Sequence, residues 1–209
     1  MILSTEADAR AFCSSLTDSA GMARLNRLAQ MVVEENERQN LMSKPSEASI
    51  WQRHFADSAQ LLNYVPRGTS PWLDLGTGAG FPGLVIAAMR PDIAVVLVES
   101  RKKRVDWLRR AAADLGLPNC RVEGRRLEHV DTFAVGTISA RAFAPLGKLL
   151  ALSARFSTRD TRWLLPKGRS AVQEVASLPE SIAQMFHVER SQTDAEAGIV
   201  IGTGRPDIA

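Results

Sequence analysis

From residue 71 onward, short runs that are apolar on both faces alternate with longer runs of helical periodicity, and this alternation restricts the fold more tightly than anything else in the chain. The strand-like runs are PWLDLG at 71–76, IAVVLVES at 93–100, NCRVEG at 119–124, AVGTISA at 134–140 and RWLLPKG at 162–168. Helical runs fall from about 81, over 101–115, near 145–155 and over 170–184. Strands buried on both faces belong in a parallel sheet covered by helices on each side, so the expected architecture is a doubly wound α/β sheet. The tail IVIGTG at 199–204 reads as a last, antiparallel strand.

The first 65 residues follow a different pattern. Leu25, Leu28, Ala29, Val32 and Val33 make one apolar helical stripe, and Ile50, Trp51, Phe55, Ala59 and Leu62 make another. Pro45 marks a break between them, while Pro66, Gly68 and Pro71 close the region. The expected organisation is one compact unit, with a small helical extension over 1–65 packed on an α/β core over 66–209.

The chain is 45% hydrophobic and 23% charged, too apolar for a disordered protein. Its apolar stretches, such as GLVIAAM at 83–89, fall short of the ~18 residues of a spanning helix. The opening MILSTEADARAF has two acids and no apolar signal core, which points to the cytosol. Cys13 and Cys120 form no C-x-x-C pair and read as free thiols, and with His54, His129 and His187 scattered, no metal site is expected. Charge is segregated: residues 101–169 carry a net +10, whereas 1–100 carry −3 and 170–209 carry −4. A basic block of this kind suits a polyanion, most commonly nucleic acid.

The first strand-like run ends in Asp74-Leu75-Gly76-Thr77-Gly78-Ala79-Gly80-Phe81-Pro82-Gly83, with a helix to follow. Glycines there allow a tight turn and close approach of backbone to ligand, at the edge where open α/β sheets bind. The absence of G-K-[ST] excludes a P-loop, but the run from Gly78 to Gly83 formally matches G-x-G-x-x-G, so a nicotinamide dinucleotide remains one reading. The D-x-G-x-G-x-G form favours S-adenosylmethionine instead, with Gly76, Gly78 and Gly80 at the ligand and Asp74 facing its cationic amino-acid tail. Glu99, closing the second strand, is placed to accept the ribose hydroxyls of either ligand.

Seven blocks then occur in order: N-x-x-x-NLMS at 36–43, RHFADS at 53–58, DLGTGAGFPG at 74–83, LVESRKKRVDWLR at 97–109, RRLE at 125–128, SARAFAPL at 139–146 and LPKG at 165–168. Together they resemble the 16S ribosomal RNA guanine-N7 methyltransferase G family, historically called glucose-inhibited division protein B. The resemblance implies a class I S-adenosylmethionine-dependent methyltransferase fold, Rossmann-like, with a helical N-terminal extension. It also implies a guanine in the decoding-region loop of small-subunit ribosomal RNA as target, and donor contacts at Gly76, Phe81, Leu127, Glu128 and Arg141. Two features depart from the family pattern: Met42 stands where threonine is frequent, and EAGIVIG at 196–202 is short and weakly basic.

Guanine N7 already offers a lone pair and bears no proton, so its methylation requires no general base. Catalysis then reduces to alignment and electrostatics, for which Arg141 and Lys167, both at strand ends, are the candidates. The run Arg101-Lys102-Lys103-Arg104 opens a helix, where cations oppose the macrodipole by about 0.3–1 kcal/mol each. Val105, Leu108, Ala112 and Leu115 supply that helix's inner face, and Lys102 with Asp106 and Arg110 with Asp114 stand at i,i+4 spacing. Local stability does not call for the cations, so Arg101, Lys102, Lys103, Arg104, Arg125, Arg126, Lys167 and Arg169 are assigned to RNA phosphates. Trp51 and Trp107 read as core or interface aromatics. A noncatalytic RNA-binding or assembly protein on the same fold is the alternative from another class.

Overall fold

The computed structural model describes residues 2–66 and 68–208. The extension comprises α1 (Glu6–Leu16), α2 (Ser19–Gln39) and α3 (Lys44–Ala48), then one helical stretch made of a π turn (Trp51–Ala56), α4 (Asp57–Ala59) and a 3₁₀ turn (Gln60–Tyr64). Thr5 and Asp8 form a reciprocal capping box at the start of α1, and the Asp18 side chain accepts from Gly21 N–H at the start of α2. Glu6 accepts from the backbone N–H groups of Trp51 (2.9 Å) and Gln52 (2.8 Å), fixing the π turn to α1.

The core runs β1 (Trp72–Leu75), α5 (Gly83–Met89), β2 (Val95–Val98), α6 (Lys102–Asp114), β3 (Cys120–Glu123), β4 (Thr137–Ala140), α7 (Leu146–Ser153), β5 (Arg162–Pro166), α8 (Ala171–Ala176), α9 (Glu180–Ala183), β6 (Phe186–Arg190) and β7 (Gly198–Thr203). The sheet order is β3-β2-β1-β4-β5-β7-β6. Neighbours are parallel from β3 through β5, while β7 pairs antiparallel with both β5 and β6.

Strand periodicity divides the interior in two. Trp72 and Leu97 join the extension, α5 and α6 on one face, whereas Leu73, Leu75, Val96 and Val98 join α7 and α8 on the other. Leu25, Leu28 and Val32 of α2 are fully or almost fully buried in the first of these cores. Thr17 Oγ1 and Arg24 Nε donate to the Met89 and Ala88 carbonyls, so the extension satisfies the C-terminal end of α5.

Three expectations are corrected. The 170–184 run is two short helices, because Pro179 stands between them in an extended conformation. IVIGTG forms the expected antiparallel strand, β7, but the expectation lacks β6, an edge strand paired with it whose mixed, partly charged FHVER sequence hides its pairing. Arg110 pairs with Glu35 of α2, and Asp114 with Arg27, so the i,i+4 pair of Arg110 with Asp114 does not form. Lys102 does pair with Asp106 at 2.9 Å. Among the described residues, no helix is long and apolar enough to cross a membrane.

Candidate active site

The carboxyl ends of β1, β2, β4 and β5 deliver the glycine loop, Glu99, Arg141 and Lys167 to one edge of the sheet. In the loop, Gly76 has φ +62°, and a Cβ there would lie 2.4 Å from the Phe143 ring. The loop is held from several sides. Trp107 Nε1 donates to the Ala79 carbonyl at 2.9 Å, and Gly78 N–H donates to Glu99 at 3.2 Å.

Asp74 differs from its expected place. It is fully buried, accepts from Ser139 Oγ (2.7 Å) and Gly83 N–H (3.0 Å), and lies beneath the loop rather than against a ligand. Trp72 Nε1 in turn donates to Ser139 Oγ. Burial pushes the Asp74 carboxyl up to about 6, with its hydrogen bonds working the other way.

A cavity of about 370 Å³ opens above this edge, lined by Gly76, Glu99, Leu127, Glu128 and Phe143, with Arg101, Arg104, Arg125, Arg126 and Lys148 around it. Glu99 is nearly buried and also accepts from Ser100 N–H (2.7 Å) and Arg101 N–H (2.9 Å). A carboxylate offers about four lone-pair sites, so it retains capacity for a ligand hydroxyl. Leu127 begins a 3₁₀ turn, Leu127–His129, and its carbonyl is held by Arg155. Gly78 and Gly80 shape the loop without lining the cavity, Gly80 lying against Leu84. Four of the arginines assigned to phosphates thus edge the ligand cavity itself.

Phe81 and Arg141 are drawn toward the extension instead of this cavity. Phe81 is buried and stacks on His54, with ring centroids 4.8 Å apart. The Arg141 guanidinium lies 5.2 Å from the Phe81 ring. It donates to the Arg53 carbonyl (3.1 Å), Asp57 (3.1 Å) and His54 Nδ1 (2.9 Å). Arg141 borders two adjoining hollows of about 350 and 630 Å³, and Ala142 (φ +52°) borders those as well as the cavity.

Lys167 is also spoken for. Its side chain is 9% exposed, and its ammonium binds Glu174 (2.9 Å) and the Ala144 carbonyl (2.6 Å), so it braces the loop after β4 instead of facing RNA phosphate. Arg169 is exposed and paired with Glu196. Trp107 and Trp51 are both buried, as core aromatics. Arg53, His54 and Asp57, which no chemical reasoning on the sequence singles out, belong beside Arg141; the RHFADS block is their only signal.

Burial, with Arg141 and Arg53 nearby, pushes the His54 pKa from 6.5 down to about 3. An unfolded chain therefore takes up a proton that the folded one refuses, and stability falls on acidification below pH 6.5 by about 1.4 kcal/mol per pH unit. Asp74 acts oppositely: with its pKa raised to about 6, the stability withheld above that pH returns as pH falls toward 3.8. The two slopes oppose each other between about pH 4 and 6. His54→Gln removes the first, so its melting temperature relative to the parent should rise by about 3 °C per unit of acidification from pH 6.5 to 4.5. Paired thermal melts at four pH values check this, and a constant offset would place a proton on folded His54.

The profile of the rRNA small subunit methyltransferase G family matches residues 22–198. A protein of that name from Erythrobacter litoralis (strain HTCC2594) is 57% identical, covering 98% of this chain and 99% of its own. Another, from Novosphingobium aromaticivorans, is 55% identical, covering 97% and 90%. Among solved structures, a MtNAS mutant in complex with S-adenosylmethionine aligns with TM-score 0.55 at 13% identity over 96% of this chain and 89% of that one. A SAM-dependent methyltransferase from Aquifex aeolicus aligns with TM-score 0.55 at 15% identity, over 72% and 90%. These two likenesses concern the fold, a class I Rossmann-like sheet. With the sequence matches extending over nearly the whole chain, it belongs to the rRNA small subunit methyltransferase G family of S-adenosylmethionine-dependent enzymes.

Proposed function

We propose that the glycine-loop cavity holds S-adenosylmethionine and that the enzyme methylates N7 of a guanine in the decoding-region loop of small-subunit ribosomal RNA. The observation that carries the reading is a near-buried carboxylate, Glu99, set in a cavity edged by Arg101, Arg104, Arg125 and Arg126. The residues fit the donor. A volume of about 370 Å³ lies within the usual range for small-molecule sites. Glu99 would take a ribose hydroxyl, Leu127 and the first amides of its 3₁₀ turn would take the adenine edge, and Gly76 gives close backbone approach. When bound, the donor supplies an electrophilic methyl carbon on a sulfonium sulfur.

Asp74, Lys167 and the Nδ1 of His54 already have partners at this edge, which suits an acceptor that surrenders no proton. Asp74 holds Ser139 and Gly83, Lys167 holds Glu174, and His54 accepts from Arg141. Among the described residues Arg141 uses three of its five N–H groups, leaving its Nε–H and one Nη2–H for an oxygen of guanine or phosphate. Its task is orientation of the base, worth several powers of ten when the geometry is productive.

Incubating the enzyme and donor with small ribosomal subunits lacking the modification, then mapping methylated bases, tests the reading. Methyl on N7 of one guanine supports it; methyl on an exocyclic amine, or binding without transfer, overturns it. Lys102 and Lys103 are exposed and lie outside the cavity lining. Reversing both to Glu should weaken RNA binding and reduce the slope of log affinity against log salt by about 0.7–0.9 for each phosphate no longer neutralised. Donor affinity should stay within about twofold, since neither residue edges the cavity. An unchanged salt slope would assign the two lysines to a merely solvated face.

A further inference from the structure

We propose that Asp57 is a positioning residue for methyl transfer: it fixes the Arg141 guanidinium, making the helical extension one wall of the acceptor site. The proposal rests on the reading of Arg141 given above and adds the device that aims it. Asp57 Oδ2 accepts from Arg141 Nη1 at 3.1 Å, while Oδ1 accepts from Gln60 Nε2 and Thr193 Oγ1, each at 2.9 Å. Gln60 is fully buried and is held in turn, its Oε1 accepting from Gln192 N–H and its Nε2 donating to Ser191 Oγ. The carboxylate is thereby oriented by its own helix and by the connection between β6 and β7.

The remaining contacts narrow the guanidinium's freedom further. The Arg53 carbonyl takes the second Nη1 hydrogen bond, His54 Nδ1 takes one from Nη2, and Phe81 lies under the guanidinium face. Arg53 and His54 belong to a π turn, a rare widening of a helix that recurs at functional sites. Arg53 is also tied to Asp194 at 3.3 Å. A mere fastening of the extension to the core would need only one ion pair. Here the 53–57 stretch and the glycine loop converge on one planar cation, with the β6–β7 connection bracing the first of them, and leave two of its N–H groups uncommitted, beside hollows that adjoin the donor cavity at Ala142. That is pre-organisation of a hydrogen-bonding group for a substrate.

The test compares Asp57→Asn, Asp57→Glu, Thr193→Val, Arg141→Lys, Arg141→Ala and the Asp57→Asn/Arg141→Lys double variant in the whole 209-residue chain. Turnover and KM are measured for S-adenosylmethionine and for unmodified small ribosomal subunits, well below each melting temperature. Asp57→Asn should lower kcat about 30-fold with donor KM within about twofold, because orientation and not donor binding is lost. Asp57→Glu should recover part of kcat, and Thr193→Val, with one supporting hydrogen bond gone, should lower it about threefold. The double variant should be no slower than Arg141→Lys alone, since the two residues act as a unit. Full kcat in both Asp57→Asn and Thr193→Val, or multiplicative losses in the double variant, overturns the proposal while leaving Arg141 its role. Full kcat in Arg141→Lys and in Arg141→Ala instead removes the reading of Arg141 on which the proposal stands.

Discussion

Glu99→Ala is expected to weaken S-adenosylmethionine binding by about 10- to 100-fold, equivalent to about 1.5–3 kcal/mol lost from one hydrogen bond to a charged acceptor. The loss has two parts. A ribose hydroxyl loses its acceptor, and the N–H groups of Gly78, Ser100 and Arg101, all now satisfied by this carboxylate, lose theirs as well. The first part acts on the ligand directly, the second on the loop and helix start that surround it. Glu99→Gln separates them, because it keeps one acceptor oxygen and the side-chain volume; its affinity should fall between alanine and the parent. Isothermal titration of the three proteins with S-adenosylmethionine measures the series, and parental affinity in the alanine variant would show that the cavity is not the donor site.

Gly76→Ala should be comparably damaging through shape. A non-glycine residue at φ +62° costs about 1–2 kcal/mol in backbone strain. The new methyl would also lie 2.4 Å from the Phe143 ring, which must swing away, and Phe143 is itself a wall of the cavity. Together these should lower the melting temperature by about 5–10 °C and weaken donor binding at least 30-fold. Pairing the substitution with Phe143→Ala removes the collision but not the strain. Partial recovery of donor binding in the pair is therefore expected, whereas a Gly76→Ala protein that binds and melts normally would mean that this close approach is unimportant.

What can be read in the chain depends on whether partners are near in sequence. The glycine loop, the acid closing β2 and the basic start of α6 are local patterns, and all three meet at one cavity because parallel strands end on the same side. Arg141 is recognisable as an unusual cation after β4, but its direction is not, because its partner Asp57 lies 84 residues upstream. The ion pair between Lys167 and Glu174 lies closer in sequence but is hidden when 170–184 is read as one helix. Asp74 is legible as a residue of β1; its inward orientation follows from sharing Trp72's face and from Ser139 on the neighbouring strand. The edge strand β6 escapes notice since its sequence alternates without an apolar run.

The strip Ala142–Ala144 lines both the glycine-loop cavity and the larger Arg141 hollow. The two chambers thus share these three residues in their walls. Any change to this short run therefore reshapes both hollows at once, so a substitution there cannot remodel one without the other.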